Sequence, residues 1–305
     1  MGNILSPLTS TANITNIGKI NTNEIINIYR KHYEMDISAY FSNTSEILIL
    51  KCLDTGYVFY YPFTTEGTEE YYARMSKFNW YYNPSRWEHT KALELITPSS
   101  TVLEIGSGRG HFIKELRNRH INSVGLELNG EAINEAATSG ITILNETIQD
   151  HSITNIGKYD IACSFQVLEH ISQPLAFLEA ALKCLRIGGK LIIGVPNNDS
   201  YIRSNKMYNK VLNMPPHHMG LWNLNSLQSL ESLLDINLEA VYYEPLVDGN
   251  IHVYLWNKID TLFFGLPLAT KIIWKLSIHK VLAALLSLFS NHINGNSMLA
   301  VFTKR

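Results

Sequence analysis

Residues 101–127 confine this chain to a narrow set of folds. Val102, Leu103 and Ile105 make a short apolar run, as expected of a strand buried on both faces of a parallel sheet. Gly106, Gly108 and Gly110 follow at alternate positions, and Phe112, Ile113 and Leu116 then recur at helical spacing. A chain that leaves a buried strand and turns straight into a helix needs positive φ or close backbone approach, and glycine supplies both without steric cost. Amide groups at the helix start face whatever lies over the turn, so the turn suits a polar or anionic ligand. A second strand over about 122–127 ends in Glu127, whose carboxylate can accept hydrogen bonds from two ribose hydroxyls. A turn of this kind on its own fits a dinucleotide site, and hence a nicotinamide oxidoreductase, as readily as any other nucleoside site.

The pattern around the turn predicts an α/β fold. Strands are expected at about 101–105, 122–127, 141–145, 159–165 and 191–195, with helices at 110–119, 130–138 and 174–185 between them. Strict alternation of this kind argues for a parallel, Rossmann-like sheet covered on both faces. A helix over 224–234 and strands at 239–243 and 298–302 complete a seven-stranded sheet. Residues 97–305 form the main domain, interrupted by a helical insertion at about 251–294. Residues 23–96 read as a hairpin (47–61 around the turn Asp54-Thr55-Gly56) followed by a helical flap rich in Tyr and Trp. Residues 1–22, rich in Asn, Ile and Thr, read as a flexible polar lead.

Composition narrows the function. A formal net charge of -2 gives no basis for nucleic-acid binding. Cys52, Cys163 and Cys184 are scattered, which fits neither a disulfide framework nor a paired metal knuckle and suits a reducing, cytoplasmic compartment. The start lacks a basic segment leading into an apolar core, so no signal peptide is expected. No stretch reaches the roughly 18 uninterrupted apolar residues of a spanning helix.

Two sets of residues carry a family resemblance. Glu104-Ile105-Gly106-Ser107-Gly108-Arg109-Gly110 resembles motif I of the class I S-adenosylmethionine (SAM) methyltransferases. Val167-Leu168-Glu169-His170-Ile171, Leu185-Arg186-Ile187-Gly188-Gly189-Lys190-Leu191 and Val195-Pro196-Asn197 resemble, in order, the later motifs of its ubiquinone-biosynthesis-like branch. The resemblance implies SAM as cofactor. It places the methionine end over Glu104, Gly106, Ser107, Gly108 and Gly110, and the ribose at Glu127 and Leu128. It places the adenine by Thr147, Ile148, Gln149 and Asp150, with Phe165 and Gln166 facing the transferring methyl. Arg86, among the flap aromatics, stands where a cation can hold the methionine carboxylate. The hairpin is similar to the zinc ribbon of some polysaccharide-pathway methyltransferases with its ligands lost; only Cys52 remains, so no zinc is expected there.

Methyl transfer is an in-line displacement, so the protein must chiefly position the partners. A hydroxyl acceptor also needs a group to take its proton. His170, His217 and His218 are the candidates, with Glu169 beside them. The small-RNA 2′-O-methyltransferases hold a metal on Glu-x-x-Glu-His and a later His; here Gln166 stands at the first position, and no metal is assigned. The expected acceptor is a hydroxyl of a sugar, glycan or related natural product. The alternatives are a quinone-like or lipid-linked acceptor, and a non-catalytic SAM-binding module. Residues 262–289 are mostly apolar, with Lys271, Lys275, His279 and Lys280 near i+4 spacing. That helix is expected to cover its own domain or a second subunit in a homodimer, or to rest peripherally on the inner face of an anionic membrane.

Overall fold

The computed structural model describes residues 4–199, 211–246, 248–263 and 267–305. In chain order, β1 (Ile14–Asn21), α1 (Thr22–Tyr33), β2 (Glu46–Cys52) and β3 (Val58–Tyr61) come first, followed by the flap helices α2 (Glu69–Met75) and α3 (Trp87–Leu93). The alternating core is β4 (Thr101–Ile105), α4 (His111–Asn118), β5 (Asn122–Leu126), α5 (Gly130–Thr138), β6 (Ile143–Leu144), α6 (Ile148–Thr154), β7 (Tyr159–Phe165), α7 (Pro174–Cys184) and β8 (Leu185–Pro196). Then come β9 (Gly220–Leu221), α8 (Leu224–Gln228), α9 (Leu230–Leu233), β10 (Ile236–Pro245), α10 (Asp248–Leu262), α11 (Pro267–Lys275), α12 (Ile278–Ser287) and β11 (Asn294–Lys304).

The large sheet has the order β10-β11-β8-β7-β4-β5-β6. β4 to β8 are mutually parallel, and β11 and β10 are added antiparallel. Its centre is apolar on both faces, as the continuous runs require: Val102, Leu103, Ile161, Cys163, Ile192 and Ile193 are buried. α4 lays Phe112, Ile113 and Leu116 onto it. β4 pairs with β5 on one side and with β7 on the other. The crossovers therefore diverge at this point, and a crevice opens beyond the carboxyl ends of the strands. The predicted α/β, seven-stranded architecture is present.

The second sheet, β1-β2-β3-β9, is antiparallel. The flexible lead expected over 1–22 is corrected here: β1 runs along β2 from Ile14↔Cys52 to Asn21↔Glu46, and Leu8 and Ile20 are buried. Its Asn and Thr residues look like those of a loose segment because β1 is an edge strand whose exposed positions, Ile17 apart, are polar. The fourth strand, β9, comes from far along the chain and sets Gly220 against Phe59. A Cβ at Gly220 would lie 1.7 Å from the Tyr57 hydroxyl, so only glycine fits. Trp222, fully buried, packs its ring 4.5 Å from that of Tyr57.

The insertion between β10 and β11 builds a core of its own from Leu246, Ile251, Leu255 and Ile259, with Ile273, Leu282 and Leu286 against it. The single helix read over 262–289 is split: α11 stops at Lys275, Ser277 takes φ 57°, and α12 starts at Ile278. Leu262, Leu276, Val281, Leu285, Leu288 and Phe289 remain exposed. No helix among the described residues is long and apolar enough to cross a membrane. The helix expected over 224–234 is likewise broken, between α8 and α9.

Because Trp222 is the largest fully buried side chain where the two sheets meet, Trp222→Ala is expected to lower stability by about 3–5 kcal/mol. Urea unfolding followed by fluorescence and circular dichroism checks this; an unchanged midpoint would show that the sheets hold together without it.

Candidate active site

A cavity of about 780 Å³ opens at the carboxyl ends of the parallel strands, under the flap. Its floor is the glycine turn. The Gly106 and Ser107 amides donate to the Leu126 carbonyl at 2.9 and 2.8 Å, which pins the turn to β5. Gly106 has φ 79°, and a Cβ there would stand 2.4 Å from Val167. Glu127 folds back over the turn. Its Oε2 accepts from the Gly108 amide at 2.8 Å, and its Oε1 accepts from the Leu128 and Asn129 amides at 2.9 Å each. A carboxylate has about four lone-pair sites, so acceptor capacity remains for a ribose hydroxyl.

Glu104 lies at the same floor, 3% exposed, and its Oε2 has no partner. Burial, with the Glu127 charge second, pushes its carboxyl well above the usual carboxylate range. An orphaned carboxyl oxygen facing a ligand-sized cavity fits a cationic amine such as that of a methionine moiety. Arg86 reaches the cavity from the flap and donates to the Tyr81 carbonyl at 3.2 Å. Thr147, Ile148 and Gln149 line the opposite end. They start α6 rather than a loop: Thr147 caps the helix and its hydroxyl holds the Asp150 carboxylate at 2.6 Å. Of the two side chains expected near adenine, Gln149 therefore faces the cavity and Asp150 is engaged by the cap.

Ser107, Gly108, Leu128 and Phe165 also line the cavity. Gly110 does not; it lets α4 close on Ile141 and Ile143. Gln166 lines the cavity as well; it sits at φ 56°, and its Nε2 donates to Glu88 at 2.8 Å and Ser297 at 3.1 Å, towards α3 and β11.

The far wall brings His170 against the adjacent pair His217-His218, 47 positions later in the chain. Ring centroids are 4.7 Å apart for His170–His217, 4.8 Å for His170–His218 and 4.7 Å for the stacked His217–His218 pair. His170 follows β7; His217 and His218 precede β9 and are placed by its pairing with β3. The Met219 amide donates to the Glu169 carbonyl at 2.8 Å, which locks the two segments together. Removal from water drives all three imidazoles towards the neutral form, His170 to about 4. The same effect raises the Glu169 carboxyl to about 8.

The flap supplies residues that motif reading missed. The Tyr82 ring lies on Gly108, and its hydroxyl accepts from Asn129 Nδ2 at 3.3 Å. Tyr72, Trp80 and Tyr81 continue the wall towards the mouth. The crowding of aromatics between 71 and 87 was the available signal. His89 had none: it fills the space between Phe112 and Phe165, 5.1 Å from each ring, and burial lowers it to about 3.

Glu127→Ala removes the acceptor for three amides as well as for the ribose. S-adenosylhomocysteine binding is expected to weaken by at least about 1 kcal/mol, roughly fivefold in Kd. Calorimetric titration checks this, and an unchanged Kd would remove Glu127 from the cofactor site.

Comparison with known proteins agrees with this geometry. The family profile described as a methyltransferase domain matches residues 80–240. The ubiquinone biosynthesis O-methyltransferase of Vibrio parahaemolyticus is 23% identical over 163 residues, covering 48% of this chain and 69% of that protein. The enzyme of the same name from Hydrogenovibrio crunogenus is 28% identical over 142 residues, 44% of this chain and 58% of that protein. A solved complex of the Haloferax volcanii Trm112 methyltransferase activator with a methyltransferase superposes with a TM-score of 0.50 at 16% identity, over 72% of this chain and 89% of that chain. Since the profile covers more than half of the 305 residues, the chain belongs to this family: it is a class I SAM-dependent methyltransferase.

Proposed function

We propose that the enzyme methylates a hydroxyl group on a quinone-like or lipid-linked acceptor. The observation that carries the hydroxyl reading is the wall of three neutral imidazoles at the end of the cavity away from Thr147–Gln149. Bound SAM supplies an electrophilic methyl group. The chain's own task is to align the acceptor oxygen and to receive its proton. His170 donates through Nδ1 to the His217 carbonyl, which leaves Nε2 as the acceptor. His218 is oriented in the same sense by the Asn213 side-chain carbonyl at 2.8 Å. Both imidazoles can therefore take a proton without first changing tautomer.

Three features support a lipid-borne acceptor. The cavity lining is aromatic, through Tyr72, Trp80 and Tyr81. The named relatives act in ubiquinone biosynthesis. The insertion exposes Leu276, Val281, Leu285, Leu288 and Phe289, and the sequence carries Lys271, Lys275 and Lys280 with no Asp or Glu from residue 263 to the end. An exposed apolar surface with cations and no anions suits the headgroup region of an anionic bilayer. The sugar or glycan acceptor expected from sequence is the second reading. It is favoured by Trp80, 49% exposed at the mouth, where a ring face can stack on a sugar.

His170→Ala and His218→Ala are each expected to lower kcat by about 10²-fold or more while leaving S-adenosylhomocysteine affinity unchanged. Turnover equal to wild type would remove the imidazoles from proton transfer. Assays with prenylated catechols and with lipid-linked glycans separate the two acceptor classes. The protein is expected to sediment with phosphatidylglycerol vesicles and not with phosphatidylcholine vesicles. The triple change Lys271→Glu, Lys275→Glu and Lys280→Glu is expected to release it; retention by the variant would exclude a charge-guided membrane contact.

A further inference from the structure

We propose that Glu169, His170, His217 and His218 form a binding site for one divalent transition-metal ion at the cavity wall. Along the sequence, Gln166 in place of a carboxylate speaks against a metal. In the fold the Gln166 amide donates to Glu88 and Ser297, and the remaining positions of the metal-holding pattern, Glu169, His170 and His217, converge with a further histidine, His218. One donor atom from each histidine lies within 4.8 Å of those of the other two. Glu169 stands behind them, its Oε1 4.0 Å from His218 Nε2.

Two further observations point to a cation. Glu169 is 1% exposed, and neither of its carboxyl oxygens has a hydrogen-bond partner. A carboxyl group withdrawn from water is ordinarily paired, hydrogen-bonded or bound to metal. The Met219 amide, a backbone donor beside it, goes to the Glu169 backbone carbonyl and not to its side chain.

The second observation is the direction of the imidazole lone pairs. Asn198 Nδ2 donates to the Pro196 and Trp222 carbonyls at 3.2 and 2.9 Å, so its Oδ1 is an acceptor. Asn213 Nδ2 donates to that oxygen at 2.9 Å, so Asn213 Oδ1 is an acceptor too. His218 must then donate to it through Nδ1, leaving an unprotonated Nε2 on the Glu169 side. His170 is fixed likewise by donating Nδ1 to the His217 carbonyl, which the Tyr72 hydroxyl also approaches at 3.1 Å. His217 Nδ1 has no partner. Imidazoles whose second nitrogen donates to a carbonyl, while the first points at a shared space, are in the state that metal ligands require. Three nitrogens and one carboxylate select a borderline first-row ion such as Zn²⁺, Co²⁺ or Fe²⁺ over Mg²⁺.

The binding site stands on these contacts alone; its chemical use rests on the hydroxyl-acceptor reading. There a bound cation would take over from the imidazoles, whose lone pairs it occupies: it would lower the pKa of the acceptor hydroxyl, and the proton would leave to solvent rather than to His170 or His218. The oxygen–carbon bond then forms as the carbon–sulfur bond breaks, and that electron pair stays on sulfur.

The test is titration of chelator-treated full-length protein with Co²⁺. Visible d–d bands that saturate at one equivalent are expected, together with a rise in Tm. Glu169→Gln, which keeps the shape, should weaken Co²⁺ at least tenfold. Asn213→Ala, which only frees His218, should weaken it about tenfold to a hundredfold. S-adenosylhomocysteine affinity, measured on every sample, reports intact folding. Absence of bands and of binding heat in protein that still binds S-adenosylhomocysteine overturns the proposal, as do bands that persist in both variants. If Co²⁺ binds as expected but chelation leaves methylation unchanged, the site stands and the hydroxyl-activation reading fails.

Discussion

The architecture turns on the backbone of one residue, Met219. Its amide donates to the Glu169 carbonyl at 2.8 Å, and its carbonyl accepts from the Tyr60 amide at 3.0 Å. One bond belongs to the loop after β7 and the other extends the β3–β9 ladder. The N-terminal sheet and the nucleoside-binding sheet are thereby registered through one residue, with Glu66 accepting from the Ser172 amide and hydroxyl as a second tie. Both Met219 bonds are buried, where leaving a backbone group unpaired is costly. The positions of His217 and His218, just before Met219, follow from this registration. An N-terminal domain that looks like an appendage in the sequence is therefore part of what shapes the far wall of the cavity.

The cavity is chemically polarised along its length. The Glu127 carboxylate puts negative charge at the floor, and beside it burial holds Glu104 towards its neutral form, as it does the histidine wall. A ligand carrying positive charge is drawn to the floor and leaves the imidazole end for a second molecule. Fixed dipoles and charges of this kind act strongly because little water remains between them.

Much of this was legible along the chain because parallel βαβ units write local signals. The glycine turn, the buried runs and the helical spacing of Phe112, Ile113 and Leu116 fix β4, α4 and β5 within a residue or two. Glu127 was legible for the same reason, being the residue that directly follows a strand. What escaped depends on long-range pairing. β1 was hidden because an edge strand with polar outward residues has the composition of a loop. The partnership of β3 with a two-residue β9, more than 150 positions later, leaves no periodic trace. The histidines could be named but not arranged, since their meeting depends on Met219. The choice between Gln149 and Asp150 and the direction of the Gln166 amide stayed open because a cap at Thr147 and positive φ at Gln166 set them, and neither can be read from residue type.

The insertion leaves β10 and returns at β11 across the paired positions Pro245 and Asn294. A segment whose two ends already face each other in an antiparallel ladder behaves as a graft: its length, sequence and even its presence are decoupled from the register of the host sheet. Loop-closure entropy grows only slowly with length, so such a graft adds little strain to the folding of its host. The place between these two strands is accordingly where an enzyme of this architecture can acquire a new destination in the cell, by exchanging one module, without disturbing its chemistry.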